Sequence, residues 1–249
     1  NIGYESRAAV YVDGVYAGRS LAVNQDLLDL ERVEVLRGPQ GTLFGKNTVS
    51  GAINLTTRKP HGKYQGKFVV ETGNYNYLHT RAIVNVPLVQ NRLFAKVSAK
   101  KVNRDGFITN LFNGKNQNGR DAFGARLQLR YLVSESTEFN LSLNGLRDRA
   151  DPGVFAIAIT GPGFDLAPDP RQVKHDANEF NSRDLFSGTL SVERNFPGGY
   201  ALRSMSSYHV NESKMLQDLD HTDEFVAIAQ GTDQDRHFTQ EVRWTSPLT

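Results

Sequence analysis

From about residue 66 onward, apolar and polar side chains alternate with a period of two. That pattern restricts the chain to β-strands with one apolar and one polar face. Eight candidate strands follow one another, at about 66–74, 77–87, 92–104, 121–133, 136–148, 184–196, 199–212 and 235–246. In the fourth, Phe123, Ala125, Leu127, Leu129 and Tyr131 share one face, and Arg126, Gln128 and Arg130 the other. In the fifth, Phe139, Leu141 and Leu143 oppose Asn140, Ser142 and Asn144. In the last, Val242 opposes Glu241, and Trp244 opposes Arg243.

Alternation alone fits a soluble sandwich or a membrane barrel. The connections separate the two. Strands two and three join through Pro87–Asn91, four and five through Val133–Glu135, and six and seven through Phe196–Gly199. The intervening connections, about 105–120, 149–183 and 213–234, are long and polar, and only Asn74–Asn76 is brief. Short turns at one end and long loops at the other are the mark of an outer-membrane barrel. Single aromatics near strand ends, Tyr131 and Trp244, suit an interfacial girdle, and Arg, Lys, Gln, Glu, Asn and Ser suit a wet lumen. No apolar run approaches the roughly 18–20 residues of a membrane helix, but a barrel strand crosses with about 9–11. The charges nearly cancel, 29 Lys+Arg against 27 Asp+Glu, which is no nucleic-acid footprint. With no cysteine there is neither a disulfide framework nor a thiolate metal site.

Residues 1–60 differ. Ala8–Tyr16 contain a short strand with an Asp13-Gly14 turn signal. Residues 27–37 open as a helical turn and end as a strand at Val33–Leu36. Glycines at 38, 41, 45 and 51 mark tight turns and close backbone approaches, and Ala52–Thr57 read as another strand. An eight-stranded barrel holds only side chains or one small ligand, whereas a barrel of about 22 strands encloses a folded plug. The expected fold is therefore mainly β. A large antiparallel transmembrane β-barrel, about 22 strands when complete, encloses an α+β plug. Residues 1–60 supply the later part of the plug and 61–249 about eight strands of the wall. Both ends read as cuts through a longer protein.

The block ERVEVLRGPQGTLFGKNTVSGAINLTTRKP, residues 31–60, resembles the plug of the TonB-dependent receptor family. It combines an acidic-Arg strand, LRGPQGTLFG, a Gly-Ala-Ile-Asn strand and a basic-Pro exit. The preceding YVDGVY resembles another plug strand, and FTQEVRWTSP a barrel strand of these receptors. The resemblance implies an outer-membrane transporter, not an enzyme. Its pore is shut by the plug and opened when the energised inner-membrane TonB complex pulls a TonB box, here expected before residue 1. A signalling domain, if present, is expected there too. It implies uptake of a ferric siderophore, or otherwise of cobalamin, haem, a nickel complex or a glycan, with outer-membrane lipid around the barrel. It also implies a plug–barrel charge lock, for which Glu34 and Arg37 have the charge to meet Arg243 and Glu241. The Asp13-Gly14 turn is expected to lead into a plug apex, with Tyr16 and Arg19 reaching the ligand vestibule. An aromatic ring and a guanidinium suit an anionic, flat-faced chelate.

Other chemistries fail on spacing. GPQGTLFGKN is not a P-loop: Gly41 stands four residues before Gly45, and Asn47 replaces the magnesium-binding hydroxyl. No GxSxG elbow occurs. The six histidines form no HExxH or tight zinc spacing, so no metal site or cofactor is expected. His221 beside Asp218, Asp220 and Asp223 in a long loop is the weak exception, and FDLAPDP at 164–170 could touch a ligand. The rival readings are a soluble carbohydrate-binding or hydrolytic β module, which lacks an aromatic platform or paired carboxylates here, and a diffusion porin, which would lack the 31–60 block.

Overall fold

The computed structural model describes residues 8–17, 29–39, 41, 48–151 and 169–247. Two sheets carry most of them. The smaller is built from β1 (Ala8–Val12), β2 (Val15–Tyr16), β3 (Leu30–Arg37) and β4 (Gly51–Thr57), in the order β2-β1-β4-β3. β1 and β4 run parallel while the outer pairs are antiparallel. β3 is longer than the Val33–Leu36 strand expected from the sequence. Ala9, Tyr11 and Ala52 form its core, with Tyr16 and Leu36 packed against them.

The larger sheet is antiparallel throughout. Its strands are β5 (Gln65–Gly73), β6 (Tyr77–Val89), β7 (Leu93–Arg104), β10 (Arg120–Ser134), β11 (Thr137–Ala150), β13 (Phe180–Asn195), β14 (Ala201–Asp218) and β15 (Ile228–Thr245). They pair in chain order, with β5 and β15 at the edges. β8 (Ile108–Asn110), β9 (Asn116–Gln117) and β12 (Gln172–Val173) form a third sheet within the long connections.

Alternation decides which face is which. Along β10, Ala122, Arg126 and Gln128 are buried, while Phe123 is 51% exposed. Register carries the same division to the neighbours: Leu127 sits opposite Val97 and Leu143, and Arg126 opposite Ser98 and Asn144. Phe139, Leu190 and Val242 are likewise exposed. The outward face from Tyr131 to Phe123 spans about 27 Å of strand, enough for a tilted crossing of the apolar layer. Aromatics bound that band. At the short-turn end, Trp244 stacks on Tyr200 at 5.7 Å and meets Phe196 at 5.5 Å. Towards the long connections stand Phe186, Tyr208 and Phe238. No helix among the described residues is long and apolar enough to cross a membrane. Leu127→Arg is therefore expected to cost about 2–4 kcal/mol, the depth-dependent penalty of a charge on the lipid face. Urea titration of folding into vesicles measures it, with Ser142→Arg on the inner face costing little.

The wall bends around the smaller sheet. Asp13 touches Arg126 on β10 and Arg203 on β14. Those strands lie three spacings apart, about 14 Å on a flat sheet. One turn reaches both because the sheet curves and arginine is long.

β14 and β15 outrun the expected strands, so the connection expected at 213–234 narrows to 219–227. Beyond the membrane both faces of a strand are wet, and the apolar–polar contrast that marks strands in sequence fades there. The ladder itself continues, pairing Met215 with Gly231 and Asp218 with Ile228.

Candidate functional site

The contact between the smaller sheet and the wall is made almost wholly by charged and polar groups. The Asp13-Gly14 turn comes first. Asp13 takes φ +52°, a left-handed conformation that Asp tolerates better than most residues. Its carboxylate is fixed by the end of β4: the Thr57 amide donates to Oδ1 at 2.7 Å and the Thr57 hydroxyl to Oδ2 at 2.8 Å. The wall closes on it from the other side. Arg126 Nη2 donates to Asp13 Oδ2 at 2.8 Å and to Thr57 Oγ1 at 3.3 Å. Gln128 donates to Thr57 Oγ1 at 3.1 Å, and Arg203 to the Asp13 carbonyl at 3.3 Å. The Arg126 side chain is only 3% exposed and that of Asp13 33%.

Three further ties follow along the chain. Lys96, buried on β7, pairs with Asp29 at 3.3 Å and donates to the Arg58 carbonyl. Lys59 reaches Glu138 at 2.7 Å, and Glu138 also takes Arg130 at 2.7 Å and Asn140 at 2.7 Å. The Asn85 carboxamide binds the segment leading into β5, donating to the His61 and Lys63 carbonyls at 2.8 and 2.6 Å and accepting the His61 amide at 3.1 Å. Charge-assisted bonds of this kind are strong one by one, yet each can be exchanged for water. A cleft of about 1030 Å³ remains beside them, lined among others by Tyr11, Asn54, Arg32, Glu241 and Arg243. Burial, then Tyr16, then Glu241 push the Tyr11 hydroxyl above its ordinary pKa.

The expected lock residues lie elsewhere in this network. Glu34 and Arg37 are three apart on one strand, so the period of two puts them on opposite faces of β3. Glu34 bonds within its own sheet, to Asn54 at 2.8 Å and Arg32 at 3.1 Å. Arg37 is exposed rather than shielded. Glu241 and Arg243 share a face of β15 and pair with each other at 2.8 Å. Charged bridges between the sheets run through Asp13, Asp29 and Lys59. In the sequence Asp13 reads only as a turn former and Arg126 only as a lumen-facing residue. No feature of the sequence links positions 113 apart.

The Asp13-Gly14 turn also points away from the expected vestibule. A Cβ added at Gly14 would stand 3.5 Å from the side chains of Arg203 and Met205, near the short turn between β13 and β14. That is the end opposite the long connections. Tyr16 packs against Tyr11 with ring centroids 5.7 Å apart. Arg19 and residues 164–168 lie outside the described residues. On the long-connection side of Arg126, the same inner face carries Arg81, Lys100, Arg104, Arg120 and Arg183, with Asp148 paired to Arg120 at 2.9 Å. No group of three or more His, Cys, Asp or Glu among the described residues is placed to hold a metal ion.

Comparison with known proteins agrees with this architecture. Residues 2–52 match the TonB-dependent receptor plug domain. The pesticin receptor of Yersinia enterocolitica is 31% identical over 118 residues, 47% of this chain and 17% of the relative. The ferrioxamine B receptor of Salmonella typhimurium is 24% identical over 209 residues, 80% of this chain and 29% of the relative. The ferric yersiniabactin uptake receptor of Yersinia pestis superposes with a TM-score of 0.79 at 22% identity, over 96% of this chain and 36% of that one. The ferripyoverdine receptor of Pseudomonas aeruginosa does so with 0.74 at 15% identity, over 96% and 33%.

A curved antiparallel wall with an outward apolar band and a smaller sheet on its inner side is the fold this chain shares with those receptor barrels. Residues 2–52 carry the TonB-dependent receptor plug match, and the chain spans less than a third of the curated relatives named above.

Proposed function

We propose that the whole protein takes up a ferric siderophore across the outer membrane, driven by TonB, with residues 1–60 acting as part of the plug and 61–249 as part of the wall. The observation that carries this reading is the Asp13–Thr57–Arg126 cluster. A plug that must hold a pore shut and later yield needs strong contacts that water can replace, and this is such a contact. The relatives support the cargo, since three of the four named above are receptors for ferrioxamine B, ferric yersiniabactin and ferripyoverdine. So does the inner wall, where basic side chains outnumber acidic ones above the plug and favour an anionic chelate. Of the two ligand contacts expected from the sequence, the one by Arg19 belongs to this proposal. The packing of Tyr16 on Tyr11 favours a structural part for Tyr16, so Tyr16→Ala is expected to lower stability by about 1–3 kcal/mol with ligand affinity unchanged. Isothermal titration of the purified receptor against a ferric siderophore reads the affinity.

Deletion of the gene is expected to abolish growth on at least one ferric siderophore under iron limitation, and the full-length gene to restore it. Growth and radioiron uptake unchanged across a panel of catecholate, hydroxamate and mixed-ligand siderophores would overturn the iron reading. The remaining nutrients, cobalamin, haem and glycans, would then be tested the same way.

A further inference from the structure

Beyond the membrane the long connections are drawn together around a buried carboxylate. Glu179, just before β13, has a side chain 1% exposed, as has its neighbour His175. His175 Nδ1 lies 2.8 Å from Glu179 Oε2, which also accepts from the Gln117 carboxamide at 2.9 Å. Glu179 Oε1 accepts the backbone amide of Asp218 at 3.1 Å. Asp218 is fully buried, and its Oδ1 accepts the amide of His221 at 2.7 Å. Asn110, also fully buried, donates to the His175 carbonyl at 2.7 Å and accepts its amide at 3.1 Å. One knot thus ties the β8–β9 hairpin, the segment 174–179 and the connection 218–227.

The knot is rich in acid. Segments 174–179 and 218–224 contribute Asp176, Glu179, Asp218, Asp220, Asp223 and Glu224, with His175, His221 and Lys174. From the hairpin, Lys115 bonds Asn178 at 3.4 Å, and Arg171 reaches towards Tyr75 at 3.4 Å. His175 Nε2 is buried with no hydrogen-bond partner, and the carboxyl groups of Asp176 and Asp218 face each other, a contact that a shared proton satisfies. A buried lone pair without a donor is a place where a proton lowers the energy. The imidazoles of His175 and His221 stand 5.2 Å apart, beside these carboxylates.

We propose that this knot is a proton-operated clasp: protonated, it holds the three loop segments together over the mouth of the wall, and deprotonated it lets them part. Asp176 fits the sign. Burial first, then Asp218 and Asp220, hold its carboxyl above the ordinary pKa. A raised pKa gives stability that is present at low pH and lost as pH rises through the raised value. Asp220 acts oppositely. Despite burial, the Thr222 hydroxyl and the amides of Ala227, Thr222 and Val226 hold its pKa low, so its part is lost only on strong acidification. The clasp works between those two limits. It does not depend on the siderophore reading, because it concerns the loops and not the cargo.

The test is hydrogen exchange of the full-length receptor in lipid discs, corrected for the intrinsic pH dependence of exchange. Peptides covering 108–117 and 218–227 are followed at about pH 5.5 and about pH 8. The expected result is at least about tenfold faster exchange at the higher pH. Asp176→Asn, which mimics the protonated carboxyl, is expected to remain slow at both. His175→Asn, which keeps a donor towards Glu179 Oε2 but removes the imidazole facing His221, is expected to flatten the dependence. Equal corrected rates in the wild type, or an unchanged pH dependence in both variants, would overturn the clasp. Peptides from β10 and β11 report whether a variant has kept its wall folded.

Discussion

Asp13→Asn is expected to destabilise the closed receptor by about 3–5 kcal/mol, the cost of leaving a buried charge without its counter-ion. Asparagine keeps the left-handed turn and can still accept from the Thr57 amide. It removes the charge that Arg126 faces and turns the Oδ2 acceptor of Arg126 and the Thr57 hydroxyl into a donor. Arg126 is 3% exposed, and its Nε and Nη1 have no hydrogen-bond partner, so nothing else takes over. The reverse change is expected to be milder. Arg126→Met leaves Asp13 with both Thr57 donors and a third of its side chain in water. A loss of about 1–3 kcal/mol is expected there, and the double variant is expected to cost less than Asp13→Asn alone. Denaturant unfolding of the full-length protein gives all three values. A neutral Asp13→Asn, or an Arg126→Met costlier than it, would remove the cluster from its place as the main tie.

Gly51→Ala is expected to cost about 3 kcal/mol or more by steric conflict alone. Gly51 opens β4 at φ +141°, and a Cβ there would stand 2.3 Å from the Leu36 carbonyl oxygen. Both partners are backbone, and the register of β3 on β4 holds them in place. Relief requires parting Leu36 from Ala52 and opening the core at Ala9 and Tyr11. Gly145→Ala is the control. Gly145 lies within β11 with no heavy atom within 4 Å of the added methyl, so a change within about 0.5 kcal/mol is expected. Thermal unfolding compares the pair, and a Gly51→Ala protein as stable as Gly145→Ala would contradict the β3–β4 geometry.

The wall was legible in the sequence because lipid and lumen impose contrast on alternate residues. Phe123 against Arg126 and Leu141 against Asn140 reveal the faces without any structure. Strand ends were less legible where both faces meet water, as in Ser213–Asp218. The small strands Ile108–Asn110 and Gln172–Val173 were missed because their parallel pairing joins positions more than sixty residues apart. The contact between the sheets was the least legible. Charge and resemblance singled out Glu34 and Arg37, but a strand can offer only one of two such residues to a given wall. Asp13 looked like turn chemistry, which it also is. Its second part, as the acceptor for Arg126 and Thr57, depends on how far the wall curves, and no local pattern encodes that.

The proposed uptake requires the inner sheet to leave the wall, and Ser98 offers a direct view of that event. It faces inward beside Arg126 in the register of β7 on β10 and is 1% exposed. The chain has no cysteine of its own, so Ser98→Cys adds one conservative target. Cells carrying that variant of the full-length receptor are treated with a membrane-impermeant maleimide. The treatment is made at rest, during energised uptake of a radioiron siderophore that supports growth, and after collapse of the proton gradient. Slow labelling at rest and after collapse, with rapid labelling during uptake, is the result expected. Equal labelling in all three states while iron continues to enter would contradict a plug that opens by parting from this wall.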